Sequence, residues 1–179
     1  ENGNYGAVIF NGTGVQSFIK TGGTISNDIR FTVNSGSVLD MGTSVLDGSS
    51  GSFTLSSGAG LVTAHPDGIS SSGGGGSVQV SGAISFSTGA DYTYDGTVSQ
   101  VTGSGLPATV NNLTIDNTAG VGLTASVTIS GTLALDNGIL DAGAADVVVT
   151  GNAMSSVSGS STSFVNLTTG YLERAIPGN

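Results

Sequence analysis

Apolar residues alternate with small polar ones in short runs along the chain: Ile29-Arg30-Phe31-Thr32-Val33, Phe53-Thr54-Leu55, Val78-Gln79-Val80, Leu113-Thr114-Ile115, Val127-Thr128-Ile129 and Leu133-Ala134-Leu135. A period of two puts every second side chain on one face of an extended backbone, so each run predicts a strand with one buried side. Nothing comparable recurs at helical spacing. The Gly, Ser, Thr and Asn that fill the gaps are poor helix-interior residues, so almost no helix is expected. Between the runs sit Asn34-Ser35-Gly36, Asp47-Gly48, Ser57-Gly58, Asp95-Gly96, Asp136-Asn137-Gly138 and Gly151-Asn152, which supply the positive φ angles of tight corners. Such corners suit antiparallel hairpins equally well, so turn chemistry leaves the topology open.

An internal repeat narrows it. Residues 10–39 match residues 94–123 without a gap, an offset of 84 positions: Phe10-Asn11-Gly12-Thr13-Gly14-Val15-Gln16 lies over Tyr94-Asp95-Gly96-Thr97-Val98-Ser99-Gln100. Further along, Asn27 meets Asn111, Ile29 meets Leu113, Phe31 meets Ile115, Gly36 meets Gly120 and Leu39 meets Leu123. Persistent glycines, amides and alternating apolar residues with drifting positions between them are the mark of stacked structural units. Residues 127–140 place short strands end to end across single-glycine corners, as the coils of a solenoid do. The expected fold is all-β, a parallel β-helix or β-solenoid, with residues 1–179 forming one segment. Coils of about 20 residues give about eight coils and a rod about 40 Å long, with the repeat spanning about four of them. Phe31, Leu113, Ile115, Ile129, Leu133 and Leu135 are the expected inward core. The Gly- and Ser-rich stretch 70–76, after His65-Pro66-Asp67-Gly68, reads as a loop bulging from the solenoid, because the repeat runs across it.

Composition then limits the chemistry. Thirty-one glycines suggest disorder, but 37% of residues are hydrophobic and mean hydropathy is +0.24, so the chain should fold. Three cations (Lys20, Arg30, Arg174) against twelve acids give a net charge of −9, which rules against nucleic acid or an anionic membrane as partner. With no cysteine there is no disulfide framework or thiolate metal site. No apolar run approaches the ~20 residues that span a bilayer, so direct membrane insertion is not expected. The stretch from Glu1-Asn2-Gly3 to Pro177-Gly178-Asn179 reads as a mature form or an excised piece.

Residues 89–97, Gln100-Val101-Thr102-Gly103, Leu106-Pro107 and Val110-Asn111-Asn112-Leu113-Thr114-Ile115-Asp116-Asn117 form a string that resembles the repeat regions of large secreted and cell-surface proteins of Bacteroidota. Residues 127–135, Ser163-Phe164-Val165-Asn166 and Gly170-Tyr171-Leu172-Glu173-Arg174 continue it, and the internal repeat extends it to the first half. The resemblance implies a right-handed parallel β-helix or related β-solenoid, serving as an adhesin stalk or surface filament and exported by type IX secretion.

Candidate chemistry is sparse. His65 is the only histidine, and its neighbours Pro66, Asp67 and Gly68 read as a turn, so no Ser-His-Asp arrangement is expected. A glycosidase pair would come from the acids, but Asp47, Asp95, Asp116 and Asp136 sit beside Gly or Asn, where an aspartate bonds its own turn. Asp136, Asn137 and Asp141 form the best local cluster of oxygen ligands for calcium, although no Asp-x-[Asp/Asn]-x-[Asp/Asn]-Gly loop is present; no other cofactor is expected. Tyr92 and Tyr94 are the candidate glycan contacts if they line an exposed groove. No threonine ladder for ice binding is seen. Lys20 and Arg30 are expected to face solvent. The reading is a non-enzymatic structural module of a secreted cell-surface adhesin or filament, a stalk or scaffold with a part in adhesion. Its partners are neighbouring repeats of the same chain, other subunits or surface glycans. A carbohydrate-binding module and a polysaccharide-active β-helix enzyme are the alternatives.

Overall fold

The computed structural model of the chain describes residues 6–23, 25, 29–48, 50–72 and 74–176. Asn27 of the repeat alignment and both chain ends lie outside the described residues. Among the described residues there is no helix, and the strands wind in successive turns. The first turn holds β1 (Ala7–Phe10) and β2 (Val15–Ser17), and the second holds β3 (Arg30–Val33), β4 (Val38–Asp40) and β5 (Leu46–Gly48). The third has β6 (Ser52–Leu55), β7 (Gly60–Thr63) and β8 (Val78–Val80), and the fourth β9 (Ile84–Phe86), β10 (Asp91–Tyr94) and β11 (Gln100–Val101). Then come β12 (Thr109–Val110), β13 (Asn112–Asp116) and β14 (Val121–Gly122), followed by β15 (Val127–Ile129), β16 (Leu133–Asn137) and β17 (Leu140–Gly143). The seventh turn carries β18 (Val147–Val149), β19 (Val157–Ser158) and β20 (Val165–Leu167), and β21 (Leu172–Arg174) opens an eighth.

Every strand pair is parallel and joins one turn to the next. This is a parallel β-solenoid. One seven-stranded sheet, β2-β4-β7-β10-β13-β16-β19, runs its whole length. Before it in each turn comes β1-β3-β6-β9 in the first half and β12-β15-β18-β21 in the second; after it comes β5-β8, then β11-β14-β17-β20. Turn length varies little, from the step Thr109 to Thr128 up to Val147 to Leu172, except in the long turn crossed by the steps Leu46 to Val78, Phe53 to Ile84 and Leu61 to Tyr92. That long turn contains the 70–76 stretch, which leaves the wall as a loop closed at its neck by Ser77 N donating to Gly68 O at 2.9 Å.

Burial follows the two-residue period. In the seven-stranded sheet Leu39, Leu61, Tyr92, Leu113, Leu133 and Val157 stack in register, one per turn, into a single inward column. Beside it run Thr63, Tyr94, Ile115 and Leu135. Phe31, Leu113, Ile115, Ile129, Leu133 and Leu135 are all buried, in one continuous core. Each column shields its own side chains from water only because the turns above and below are present, so stability here is a sum of neighbour contacts.

Phe31 and Ile115, matched by the repeat, belong to different sheets: Phe31 stacks between Val8 and Phe53, and Ile115 between Tyr94 and Leu135. The 84-residue offset therefore carries the chain three turns and one further face, not four coils.

Candidate functional site

The repeated heptad builds the same corner twice. Gly12 N donates to Gln16 Oε1 at 2.9 Å, and Gly96 N donates to Gln100 Oε1 at 2.7 Å. Each glutamine points inward at the start of a ladder: Gln16 stacks on Leu39 at the head of the seven-stranded sheet, and Gln100 on Val121 at the head of β11-β14-β17-β20. Gln100 is 1% exposed. Its Nε2 donates to Thr63 O and His65 O of the preceding turn, both at 3.0 Å, and its Oε1 also accepts from Asn117 Nδ2 of the following turn at 2.7 Å. One amide thus satisfies the polar groups of three turns, which buried backbone requires. Gln16 has the same corner, and among the described residues there is no turn above it and no partner for its Nε2.

The tyrosines are core residues, not an exposed groove. Tyr92 and Tyr94 are each 1% exposed, because alternation along β10 turns both inward and stacking sets them between Leu61 and Leu113 and between Thr63 and Ile115. Each hydroxyl finds a carbonyl: Tyr92 Oη donates to Ser87 O at 2.7 Å and Tyr94 Oη to Thr102 O at 2.8 Å. Burial raises both phenols well above the ordinary tyrosine range. Tyr94→Phe should cost about 1 kcal/mol, since it removes one hydrogen bond and leaves Thr102 O a partner short; chemical denaturation with unchanged slope checks it.

Asp136, Asn137 and Asp141 do not converge. Asn137 Nδ2 donates to Asp116 Oδ1 at 2.6 Å, Asp141 Oδ1 accepts from Asn166 Nδ2 at 3.1 Å, and Asp136 is exposed. Among the described residues no three His, Cys, Asp or Glu side chains gather as a metal site would need. The same rung joins Asn111 and Asn112 to Asp91 Oδ1, at 2.8 and 2.9 Å. In each rung the amide lies one turn C-terminal to its carboxylate, so these acids pair with amides of the next turn. At the corner, Gly138 has φ +89°, and a Cβ there would collide with the Asn117 carbonyl.

Lys20 departs from the solvent-facing expectation. Its Nζ meets Asp47 Oδ2 at 2.6 Å, while Asp47 Oδ1 accepts from Ile25 N at 3.3 Å. The hydrogen bond from Lys20 holds the Asp47 carboxyl below the usual carboxylate range. Arg30 is exposed as expected. His65 lies in a turn, with Gly68 N donating to His65 O at 2.9 Å and Asp67 N to His65 Nδ1 at 3.1 Å.

Asp95 is a strained acid. Its Oδ1 is buried without a partner, and desolvation, with the charges of Asp40 and Asp116, raises its pKa. A carboxyl whose folded pKa exceeds its unfolded one subtracts stability above that window and ceases to do so as pH falls below the unfolded value. Asp95→Asn, the residue type at the matching position 11, should therefore melt higher than the parent at pH 7. The difference should shrink as pH is lowered through the carboxylate range; thermal melts at several pH values check it.

Two shallow depressions mark the outer faces. One, about 340 Å³, lies over β11-β14-β17-β20, where Gly120 and Gly122 lack side chains between Val101 and the Asp141–Asn166 rung. The other, about 310 Å³, lies on the seven-stranded sheet over Gly60, Asp91, Thr93, Asn112 and Thr114. Both are built of short side chains, with no aromatic residue to stack on a sugar ring. Compared with family models, curated proteins and solved structures, the chain finds no match.

Proposed function

We propose that the chain is a non-enzymatic structural module of a secreted cell-surface adhesin or filament, a stalk or scaffold exported by type IX secretion. The observation that carries this reading is the unbroken inward column from Leu39 to Val157 along a sheet that spans every complete turn. Four of the polar residues that sequence alone offers for chemistry have structural occupations: Tyr92 and Tyr94 fill the core, and Asn137 and Asp141 rung the turns. Resemblance to Bacteroidota surface repeats supplies the location and export route.

The test is surface proteolysis of intact cells that express the gene. Rapid loss of the protein without lysis is expected; full protection until lysis contradicts a surface location. The glycan-binding alternative rests on the two outer-face depressions, and a glycan array with the purified chain decides it: reproducible binding that Asn166→Ala or Thr114→Ala removes would replace the structural reading.

A further inference from the structure

We propose that the groove over β14 binds an extended peptide segment of another protein, one that carries a lysine or arginine. This goes beyond the stalk reading and stands or falls separately from it. In the sheet β11-β14-β17-β20, Val121 points inward, and Gly120 and Gly122 on either side of it face out. The register sets Gly122 between Val101 and Asp141, with Asn166 one turn further on. Two absent side chains beside one another thus open the depression of about 340 Å³ between a wall of Ser99 and Val101 and a wall of Ile139 and Asp141.

The fold requires one of these glycines and not the other. Gly120 has φ +87°, and Gly36, its counterpart in the repeat, has φ +82°, so both copies keep the glycine that the corner needs. Gly122 has no such backbone angle. A Cβ there would meet Val101 Cγ1 at 3.5 Å and Gln100 O at 3.7 Å, which are ordinary contacts, and the matching position of the first copy is Val38. A strand glycine without a conformational or packing duty costs stability, and it suits a place where a ligand or another backbone approaches closely.

Shape and charge choose the ligand. Strands β11 and β17 stand two turns apart, about 10 Å, which leaves the width of one extended chain along β14. The sheet's own amides are spent on its ladders, so the peptide's polar groups meet the Ser99 and Thr118 hydroxyls and the Asn166 amide. Asp141 Oδ1 accepts from Asn166 Nδ2 at 3.1 Å, and its second oxygen has no partner among the described residues. Asp116 and Asp136 are exposed on the corners that lead into β14 and β17. Among the described residues no cation answers these acids: Lys20 pairs with Asp47, Arg174 donates to the Ala153 and Met154 carbonyls, and Arg30 lies on β3. A net charge of −9 opposes a second copy of this chain in the groove, and no aromatic ring lines it for a sugar, so a cationic peptide is the occupant that fits.

An array of immobilised hexapeptides of graded charge, probed with the purified 179-residue chain, tests this. The chain should bind peptides that contain lysine or arginine, and salt should weaken the binding. Gly122→Val places a strand-forming residue where there is room for it, so the melt should hold or rise while binding falls about tenfold or more. Asp141→Asn keeps the acceptor for Asn166 Nδ2 and removes the charge; it should melt as the parent does and lose about tenfold for the cationic peptides alone. Should Gly122→Val fail to fold, Asp141→Asn decides. An array that captures nothing overturns the inference, as does binding indifferent to peptide charge, or binding that a folded Gly122→Val chain retains. A saccharide bound by the chain and lost in Gly122→Val would give the groove to a glycan and overturn it too. An empty peptide array with the surface location upheld removes only this partner.

Discussion

Leu133→Asp should destabilise the chain by more than about 4 kcal/mol and abolish a single cooperative melt. Leu133 has no exposed surface and stacks between Leu113 and Val157, while its backbone N donates to Ser156 O at 2.9 Å. An aspartate there has apolar neighbours above, below and beside it, and no cation sits in the core to pair with it. Protonation relieves the charge but not the missing hydrogen bonds or the lost packing. Because turns hold only their neighbours, damage should start in the sixth turn and spread outward. Hydrogen exchange should show β13, β16 and β19 losing protection first, with β3 and β6 retaining the most. A melt like the parent's would mean that Leu133 is not an interior residue.

Gln100→Leu should cost about 3 kcal/mol, far more than the same change at Gln16, where about 1 kcal/mol is expected. The pair is informative because the two glutamines have the same sequence context. Leucine at 100 suits the column it heads, Val121-Leu140-Val165, but it removes four hydrogen bonds at once. Gly96 N then has no acceptor in the interior, and Asn117 Nδ2 retains only Val98 O at 2.8 Å. At the first corner only the bond to Gly12 N is lost, and water reaches it. Equal losses at the two positions, measured by denaturant midpoint, would show that the amide serves its local corner alone and does not join turns.

The alternating runs made the strands, their inward faces and the solenoid legible in the sequence, since a period of two fixes orientation without any tertiary knowledge. The internal repeat also marks a real structural unit, because a Gln side chain capping a Gly amide needs fixed spacing. What the offset did not disclose is its phase. Corners tolerate extra residues, so turn length drifts and the 84-residue spacing ends one face further on. The same drift hid the tyrosines. Once the register is known, Tyr92 and Tyr94 fall on Leu113 and Ile115, and their burial follows directly. Turn length was the missing quantity, and it would have placed them inside the wall. The Lys20–Asp47 pair was invisible for a different reason: the two residues meet across one whole turn, and nothing local at either position announces the other.

The central claim is that successive windings of one chain lie side by side in the observed register. Thr93 and Thr114 face outward in adjacent turns and are paired in that register, so their Cα atoms lie about 5 Å apart. In the cysteine-free background, a Thr93→Cys/Thr114→Cys double variant treated with a short thiol-bridging reagent should cross-link within one molecule, quickly and almost completely. A Thr54→Cys/Thr128→Cys variant, with cysteines on strands that do not pair, should not. Failure of the first pair, or equal cross-linking in both, would contradict the solenoid.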